Sequence, residues 1–396
     1  MKRVLPSVTA AVHTERANPP DAAVPARPRI DRRALLAAGA ALAAGAGAAT
    51  ATALVREPAA APAAPPPPAA VPFHGARQAG VTHRPLAATR LLALDLPADA
   101  DRAALRALLA AVGEVLARAA DGGLDDPRLP GTPPVTSLAA VGPALAARLR
   151  LPAPGTLAEL PALPGDRLDP ARGGGDLLLQ VGAEQPWTTG LLTEHLLAAA
   201  APHGAAVRWH QSGFLPPTPD GRTPRNLFGF KDGTANPDPA DPALWHRDGT
   251  VLVYRRIRMD TAAFAALPAD RRELATGRRA ATGAPLTGTA EHDDPDIYAK
   301  HPDGSYVIPA TAHVRLSSPR LDGGARMLRR GWSYDDGPTD RGLLFCAFMP
   351  DPALFTRVQT RLAQRDALTP FLTHTASAVG WVLPGAREGG TLGDGL

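Results

Sequence analysis

The chain is poor in cysteine, and this excludes several kinds of site. Among its 396 residues Cys346 is the only cysteine. The chain therefore has no internal disulfide framework and no zinc or iron–sulfur site built on several thiolates. Any metal chemistry must use histidine or carboxylate ligands.

An excess of charge is also lacking. The sequence has 42 Lys+Arg against 38 Asp+Glu, a formal net charge of +4, and the scattered basic residues argue against a nucleic-acid partner. Its 38 glycines and 44 prolines make up about a fifth of the chain, below the roughly 25–30% that is typical of low-complexity proteins. A collagen-like or wholly disordered chain is therefore excluded, and the length suffices for two or three compact units or one large one.

The amino-terminal residues have the pattern of an export signal. Asp31-Arg32-Arg33 precedes a weakly apolar, uncharged run, 34–55, and small residues at 51–53 fit an A-x-A cleavage site. This pattern resembles a twin-arginine signal, which implies a chain exported already folded to the periplasm or the medium, with the twin-arginine translocase as a partner. The alternative is a retained membrane anchor, because the run is long enough to span a bilayer, but its alanine and glycine content favours the signal.

Beyond this signal region, 1–55, a Pro/Ala-rich stretch at 56–72 predicts an extended linker. The hydrophobic pattern then gives the order β-α-β-β-α-β twice. In the first half we predict strands at 90–96, 135–141, 175–183 and 206–214. We also predict two helices there, one that Asp99 caps and a second at 188–200. In the second half we predict strands at 250–259, 327–334, 343–349 and 378–383, with helices at 262–275 and 352–364.

This order predicts an α+β fold of two ferredoxin-like halves, 73–220 and 221–385, that are packed together. The glycine-rich end, 386–396, predicts a flexible tail.

The most unusual segment is 226–237, which reads NLFGFKDGTANP. Asp-Gly between apolar residues is typical of a hairpin turn, and the segment alone would indicate no more. Two further segments stand out, AHVRLSSPR at 312–320 and MLRRGWSY at 327–334.

Together these segments resemble the dye-decolourising (DyP-type) haem peroxidases, in their exported bacterial branch. The GFKDG stretch at 229–233 matches the G-x-x-D-G signature of that family. Further landmarks are PFHG at 72–75, QAG at 78–80, GAPL at 283–286 and LLF at 343–345. The resemblance covers roughly residues 72–385 and implies two ferredoxin-like halves packed as a dimeric α/β-barrel-like fold with one haem b per chain. It also implies reduction of hydrogen peroxide by a dye-like or phenolic organic donor.

The resemblance assigns three central roles. His313 matches the proximal ligand of the haem iron, and His210 is the rival ligand that we also consider. Asp232 matches the distal acid–base residue, which moves a proton between the two oxygens of the peroxide. Arg329 matches the distal arginine, whose charge stabilises the departing oxygen and which also contacts the haem.

Further haem contacts are implied by the same pattern. They are Gly233, Thr234, Ala235, Ser318, Pro319 and Arg320, with Arg278 and Arg315 as candidates for the haem propionates. Departures from the family include Ser317-Ser318, where Ala-Asn is usual, and Gly331, where some relatives carry an asparagine on the distal side. Trp332 and Tyr334 are candidates for relaying oxidising equivalents to bulky donors, although aromatic residues in strands are usually core packing.

Other functions remain open at this point. One is an exported haem-handling protein of the deferrochelatase type, which removes iron from haem beside an iron-uptake permease. Another is a haem-binding module without catalysis, which needs His313 but neither Asp232 nor Arg329. A homo-oligomer is left open as well.

Overall fold

The structure is a computed structural model that describes residues 69–129, 134–219 and 222–396. All of them belong to one compact unit, 66–396. The predicted export signal at 1–55 and most of the predicted linker at 56–72 lie outside the described residues. Within the described ranges no helix is both long and apolar enough to cross a membrane.

Eight strands of the described chain form one closed barrel. They are β1 (Ala88–Asp95), β2 (Val135–Val141), β3 (Leu177–Ala183), β4 (Ala206–Phe214), β5 (Thr250–Met259), β6 (Leu328–Asp335), β7 (Arg341–Met349) and β8 (Leu372–Val382). Their order around the barrel is β1-β3-β2-β8-β5-β7-β6-β4, with antiparallel neighbours. Each half keeps the ferredoxin-like order of its own four strands, and the halves join where β2 meets β8 and where β4 meets β6. The predicted fold class is confirmed.

Helices cover the outside of this barrel. They are α1 (Ala79–Thr82), α2 (Arg102–Ala120), α3 (Pro143–Arg148), α4 (Pro186–Ala200), α5 (Thr261–Ala265), α6 (Ala269–Thr276), α7 (His313–Leu316) and α8 (Ala353–Arg365). The apolar faces of α2 and α4 pack on the first half, and α8 packs on the second half through Leu354, Phe355 and Val358. A separate core fills the barrel and takes residues from both halves, such as Leu138 and Phe348.

Two helix predictions differ from the structure. The cap of α2 is Asp101 rather than Asp99, because the Asp101 carboxylate accepts the N–H of Ala104 at 2.8 Å. The single helix predicted at 262–275 is divided into α5 and α6. Pro268 stands at the break, where its ring and missing N–H prevent a helix from continuing.

The prediction of a flexible tail at 386–396 is wrong. Leu392 is only 1% exposed and belongs to the core under α2. It packs against α2 at Gly113, where a Cβ would be in ordinary van der Waals contact with Leu392 Cγ at 3.6 Å. In addition, Arg106 Nε donates to the backbone oxygen of Leu396 at 2.8 Å. The carboxyl end is therefore part of the packed structure.

Candidate active site

A partly open patch lies on the outward face of β6. Arg329 and Gly331 face outward there, because the alternate residues, such as Leu328 and Trp332, point into the barrel core. Both outward residues are only partly buried, and so is Phe345, which lies opposite Gly331 on β7. The outward face of β6 is therefore not fully buried here.

The loop after residue 224 carries Asp232 over this patch. A Cβ built on Gly331 would lie 3.8 Å from Asp232 Oδ2, so the carboxylate sits directly above the outward face of β6. The chain turns immediately after the carboxylate at Gly233, whose φ of +107° is one that residues with a side chain rarely adopt. The glycine of the G-x-x-D-G motif thus has a backbone role.

Several contacts anchor this loop. Lys231 forms an ion pair with Glu291, and the Arg225 guanidinium donates to the carbonyls of the loop at 280–281. The Asn236 side chain donates to the C=O of Arg329 at 2.8 Å and accepts its N–H at 2.9 Å. Asn236 lies within the recognised motif, but the sequence assigned it no role.

His313 is the first residue of α7. Its Nδ1 is hydrogen-bonded to Asp366 Oδ2 at 2.6 Å, and the other oxygen of this carboxylate accepts the N–H of Leu368 at 2.9 Å. The Asp366 side chain is 2% exposed, whereas that of His313 is 36% exposed. The imidazole is therefore fixed through Nδ1, which leaves Nε2 available to bind a metal.

Neighbouring elements hold this arrangement. Asp366 caps the carboxyl end of α8, and Arg361 of the same helix donates to the C=O of Leu316 in α7 at 2.6 Å. The Ser317 hydroxyl donates to the C=O of His313 at 2.8 Å. Asp366 was missed from the sequence, because it is 53 positions from His313 and no motif connects the two.

Burial and nearby charges both affect the pKa of His313. Burial lowers the pKa of His313, but the charge of Asp366 and its hydrogen bond outweigh this effect and raise the pKa overall. Asp232 also raises the pKa of His313, and Arg329 lowers it. The geometry itself places Asp232 above the face of β6 that also carries Arg329, and the roles of these three residues stay predictions.

The predicted propionate partners already have protein contacts. The buried Arg278 donates to the C=O of Gly283 at 2.7 Å and to that of Glu291 at 2.9 Å, and its pKa is lowered by burial and by the nearby charge of Arg329. The Arg315 guanidinium lies 3.7 Å from the ring centre of Tyr306 and donates to the C=O of Ile297. Arg320 forms an ion pair with Asp294 at the surface. Their haem contacts stay predictions.

The remaining predicted contacts are backbone and turn positions. Thr234 is partly exposed and Ala235 is exposed, both directly after Gly233. Ser318 caps the turn that begins at Pro319, since its Oγ accepts the N–H of Arg320 at 3.3 Å. These contacts are likewise untested predictions.

Other candidates have different surroundings. His210 lies on β4 and is largely exposed, and partial desolvation together with the nearby charge of Arg90 lowers its pKa. The described residues supply it with no carboxylate hydrogen bond comparable to that of His313. Trp332 and Tyr334 point into the barrel core and are buried, so a bulky donor cannot contact them directly.

The donor set fits haem better than a bare metal ion. Over the described ranges no group of three or more His, Cys, Asp or Glu side chains is placed to hold an ion. A single imidazole whose Nδ1 is held by a buried carboxylate is the kind of ligand that holds haem iron in peroxidases.

The amino-terminal half matches the description "Dyp-type peroxidase, N-terminal" over residues 78–215, and the second half matches "Dyp-type peroxidase, C-terminal" over residues 223–387. The chain belongs to the DyP-type peroxidase family. The predicted family, its enzyme class and its haem cofactor are thereby confirmed, whereas membership of the exported branch stays a prediction. The dye-decolorizing peroxidase of Thermobifida fusca is 45% identical over 269 residues, which are 61% of this chain and 62% of that protein, less than two thirds of its length.

Other similar proteins match over more of the chain. The deferrochelatase of Yersinia pseudotuberculosis is 33% identical over 364 residues, 80% of this chain and 82% of that protein. Among solved structures, a DyP-type peroxidase from Cellulomonas bogoriensis has a TM-score of 0.78 at 39% identity, with 84% of this chain and 99% of that chain covered. Ferric DtpA from Streptomyces lividans has a TM-score of 0.77 at 34% identity, with 82% and 96% covered.

Proposed function

We propose that this DyP-type peroxidase reduces hydrogen peroxide to water at a haem held by His313, and that a dye-like or phenolic organic donor supplies the two electrons. The observation that supports it best is the placement of the Asp232 carboxylate above the face of β6 that carries Arg329, in a chain whose His313 imidazole is fixed by a buried carboxylate. When bound, the haem supplies the redox chemistry.

The residues of the chain orient the ligand, move the proton and stabilise the developing charge. Asp366 keeps the proton of His313 on Nδ1, so that the lone pair on Nε2 is free for the iron. Asp232 accepts the proton from one oxygen of the peroxide and returns it to the oxygen that departs as water. The fixed positive charge of Arg329 stabilises the negative charge that develops on the departing oxygen.

The experiment that tests this proposal separates haem binding from peroxide chemistry. We expect His313→Ala to lose the Soret band, and Asp232→Asn to keep it but to react with peroxide ~10²–10⁴-fold more slowly. Arg329→Leu should slow the same step by ~10²–10³-fold. His210→Ala is the matched control and should behave as wild type. A normal peroxide reaction in both distal variants would refute the assigned roles.

We also propose export by the twin-arginine pathway to the periplasm or the medium, with the twin-arginine translocase as a transient partner. The support is the Asp31-Arg32-Arg33 pattern before the uncharged run at 34–55. Replacing both arginines by lysine should leave the full-length chain in the cytoplasm, while wild type is found outside it with a new amino terminus near residue 53. Unchanged export of the double variant would contradict this pathway. A homo-oligomer and an iron-uptake permease stay predictions.

A second candidate function is removal of iron from haem. It is favoured by the deferrochelatase relatives, which match over 80% of this chain. Metal-free porphyrin accumulating when the purified protein is incubated with haem would support it, and haem recovered intact would exclude it. A haem-binding module without catalysis is disfavoured, because such a module has no need of both Asp232 and Arg329 at the site.

A further inference from the structure

Among the described residues, the edge of β6 at Arg329 has no strand partner on one side. On its other side β6 pairs with β7 from Leu328 to Asp335. On the side that faces β4, the described residues of β6 form one backbone pair, between Ser333 and Phe214. The N–H and C=O of Arg329 on this side need other partners, because backbone polar groups that are removed from water are almost always paired.

The side chain of Asn236 supplies both partners. Its Nδ2 donates to the C=O of Arg329 and its Oδ1 accepts the N–H of the same residue. The amide therefore replaces one residue of a missing neighbouring strand. A carboxylate can accept from the N–H but has nothing to donate to the C=O, so the amide is the group that satisfies both.

Asn236 also belongs to the loop that carries Asp232. Its N–H donates to the C=O of Gly233 at 3.3 Å, and a Cβ at position 233 would lie 3.4 Å from Asn236 Nδ2. The turn between Asp232 and Asn236 is thus short and closed. A displacement of Asn236 must therefore move Asp232 as well.

Other contacts hold this loop without reaching β6. Lys231 is paired with Glu291, and Arg225 donates to the loop at 280–281. In the part of the chain that the structure describes, the Asn236 pair is the hydrogen-bonded connection between the Asp232 loop and β6.

We propose that Asn236 is a positioning residue of the peroxide site. Its amide sets the position of the Asp232 carboxylate relative to the Arg329 guanidinium, and so controls the rate of reaction with peroxide without touching peroxide itself. This inference rests on the roles proposed above for Asp232 and Arg329.

The test compares substitutions of two asparagines in one loop. Asn236→Ala removes both hydrogen bonds to Arg329, and Asn236→Asp retains only the acceptor. Asn226→Ala is the matched control, because Asn226 Oδ1 accepts the N–H of Phe228 at 3.0 Å and makes no hydrogen bond to Arg329. The measurements on the haem-loaded protein are the second-order rate of the Soret change after mixing with peroxide and the rate of donor oxidation at saturating peroxide. In haem-free protein, the hydrogen exchange of the Arg329 amide is measured.

We expect Asn236→Ala to slow the peroxide step by about 10–100-fold, since small misplacements of reacting groups have effects of this size. Donor oxidation and haem content should stay within about twofold of wild type, and the Arg329 amide should exchange ~10-fold faster, as expected for loss of its hydrogen bond. Asn236→Asp should be impaired as well, because its second oxygen would face the C=O of Arg329 as acceptor against acceptor. Asn226→Ala should match wild type in the peroxide step and in Arg329 exchange. If Asn236→Ala does not fold, Asn236→Asp provides the same comparison.

Two results would overturn the inference. One is an equal decline in haem content, donor oxidation and peroxide reaction, which would make Asn236 a purely structural residue. The other is a wild-type peroxide rate in Asn236→Ala while Asp232→Asn and Arg329→Leu are slow, which would leave the proposed function intact. If those two variants also react normally, the proposed function itself fails.

Discussion

The carboxylate of Asp366 offers the sharpest test of how the proximal side works. In Asp366→Asn, the retained oxygen can still accept the N–H of Leu368, which lies 2.9 Å from Oδ1 in the wild type. The oxygen that lies 2.6 Å from His313 Nδ1 becomes an NH₂ group, which can only donate. The imidazole must then carry its proton on Nε2, the nitrogen that the iron requires.

The expected magnitude follows from this change. Removing a hydrogen-bond partner of a ligating histidine typically lowers metal affinity by about 10–100-fold, which corresponds to ~1.4–2.8 kcal/mol of binding free energy. The substitution hardly changes the volume of the side chain, so the fold should be kept. The assay is a haem titration of the haem-free protein, followed by the Soret band.

The chain contains a matched control for this substitution. His195 Nε2 is hydrogen-bonded to Asp126 Oδ2 at 2.9 Å, and Asp126 is also nearly buried. Asp126→Asn therefore disrupts the same kind of pair in the other half of the chain, and we expect it to leave haem affinity unchanged. If Asp366→Asn binds haem as tightly as wild type does, Asp366 does not control the His313 tautomer, and our account of the proximal side is wrong.

Three further outcomes are expected. Gly331→Asn should fold if the end of the Leu343 side chain shifts by a few tenths of an ångström, because a Cβ at position 331 would lie 3.2 Å from Leu343 Cδ1 and 3.8 Å from Asp232 Oδ2. It should change the peroxide rate without loss of haem, whereas a colourless protein would show that the haem needs this space. Leu392→Ala should lower the free energy of unfolding, measured in urea, by ~2–5 kcal/mol, the usual effect for a buried leucine. An unchanged urea midpoint would support a flexible tail instead. Burial and the charge of Arg255 lower the pKa of His374 from 6.5 to about 3. Between pH 3 and pH 6.5, His374 therefore binds a proton in the unfolded chain but not in the folded one. The free energy of unfolding should therefore fall on acidification from about pH 6.5 towards 3, by at most ~1.4 kcal/mol per pH unit for one proton. In His374→Gln, a plot of the free energy of unfolding against pH should lack this contribution.

The strands were predicted well from the sequence for a simple reason. The bounds of β2, β4 and β5 agree with prediction, because each is an apolar or alternating run between turn residues, which is a local signal. The beginning of β8 at Leu372 was missed, since its first residues mix polar and apolar side chains. The break at Pro268 was visible in the sequence and was overlooked.

The site was predictable only in part. Motif resemblance assigned roles to His313, Asp232 and Arg329, and these roles stay predictions, although the structure places Asp232 above the face of β6 that carries Arg329. Nothing local signals that Asp366 contacts His313 or that Asn236 contacts Arg329, since both contacts depend on how distant segments pack. For the same reason, Leu392 looked like part of a flexible tail, although α2 has a glycine where it packs.

The closure of the barrel has a consequence for the two halves as separate molecules. They share one interior core, while the hydrogen-bonded seams between them are short, with register pairs limited to two at β2–β8 and one at β4–β6. A half expressed alone would expose one apolar sheet face and two open strand edges, which are surfaces that favour association. Each half thus covers the sheet face and strand edges that the other would expose, as one subunit of a dimer covers its partner. The covalent connection keeps the two halves together.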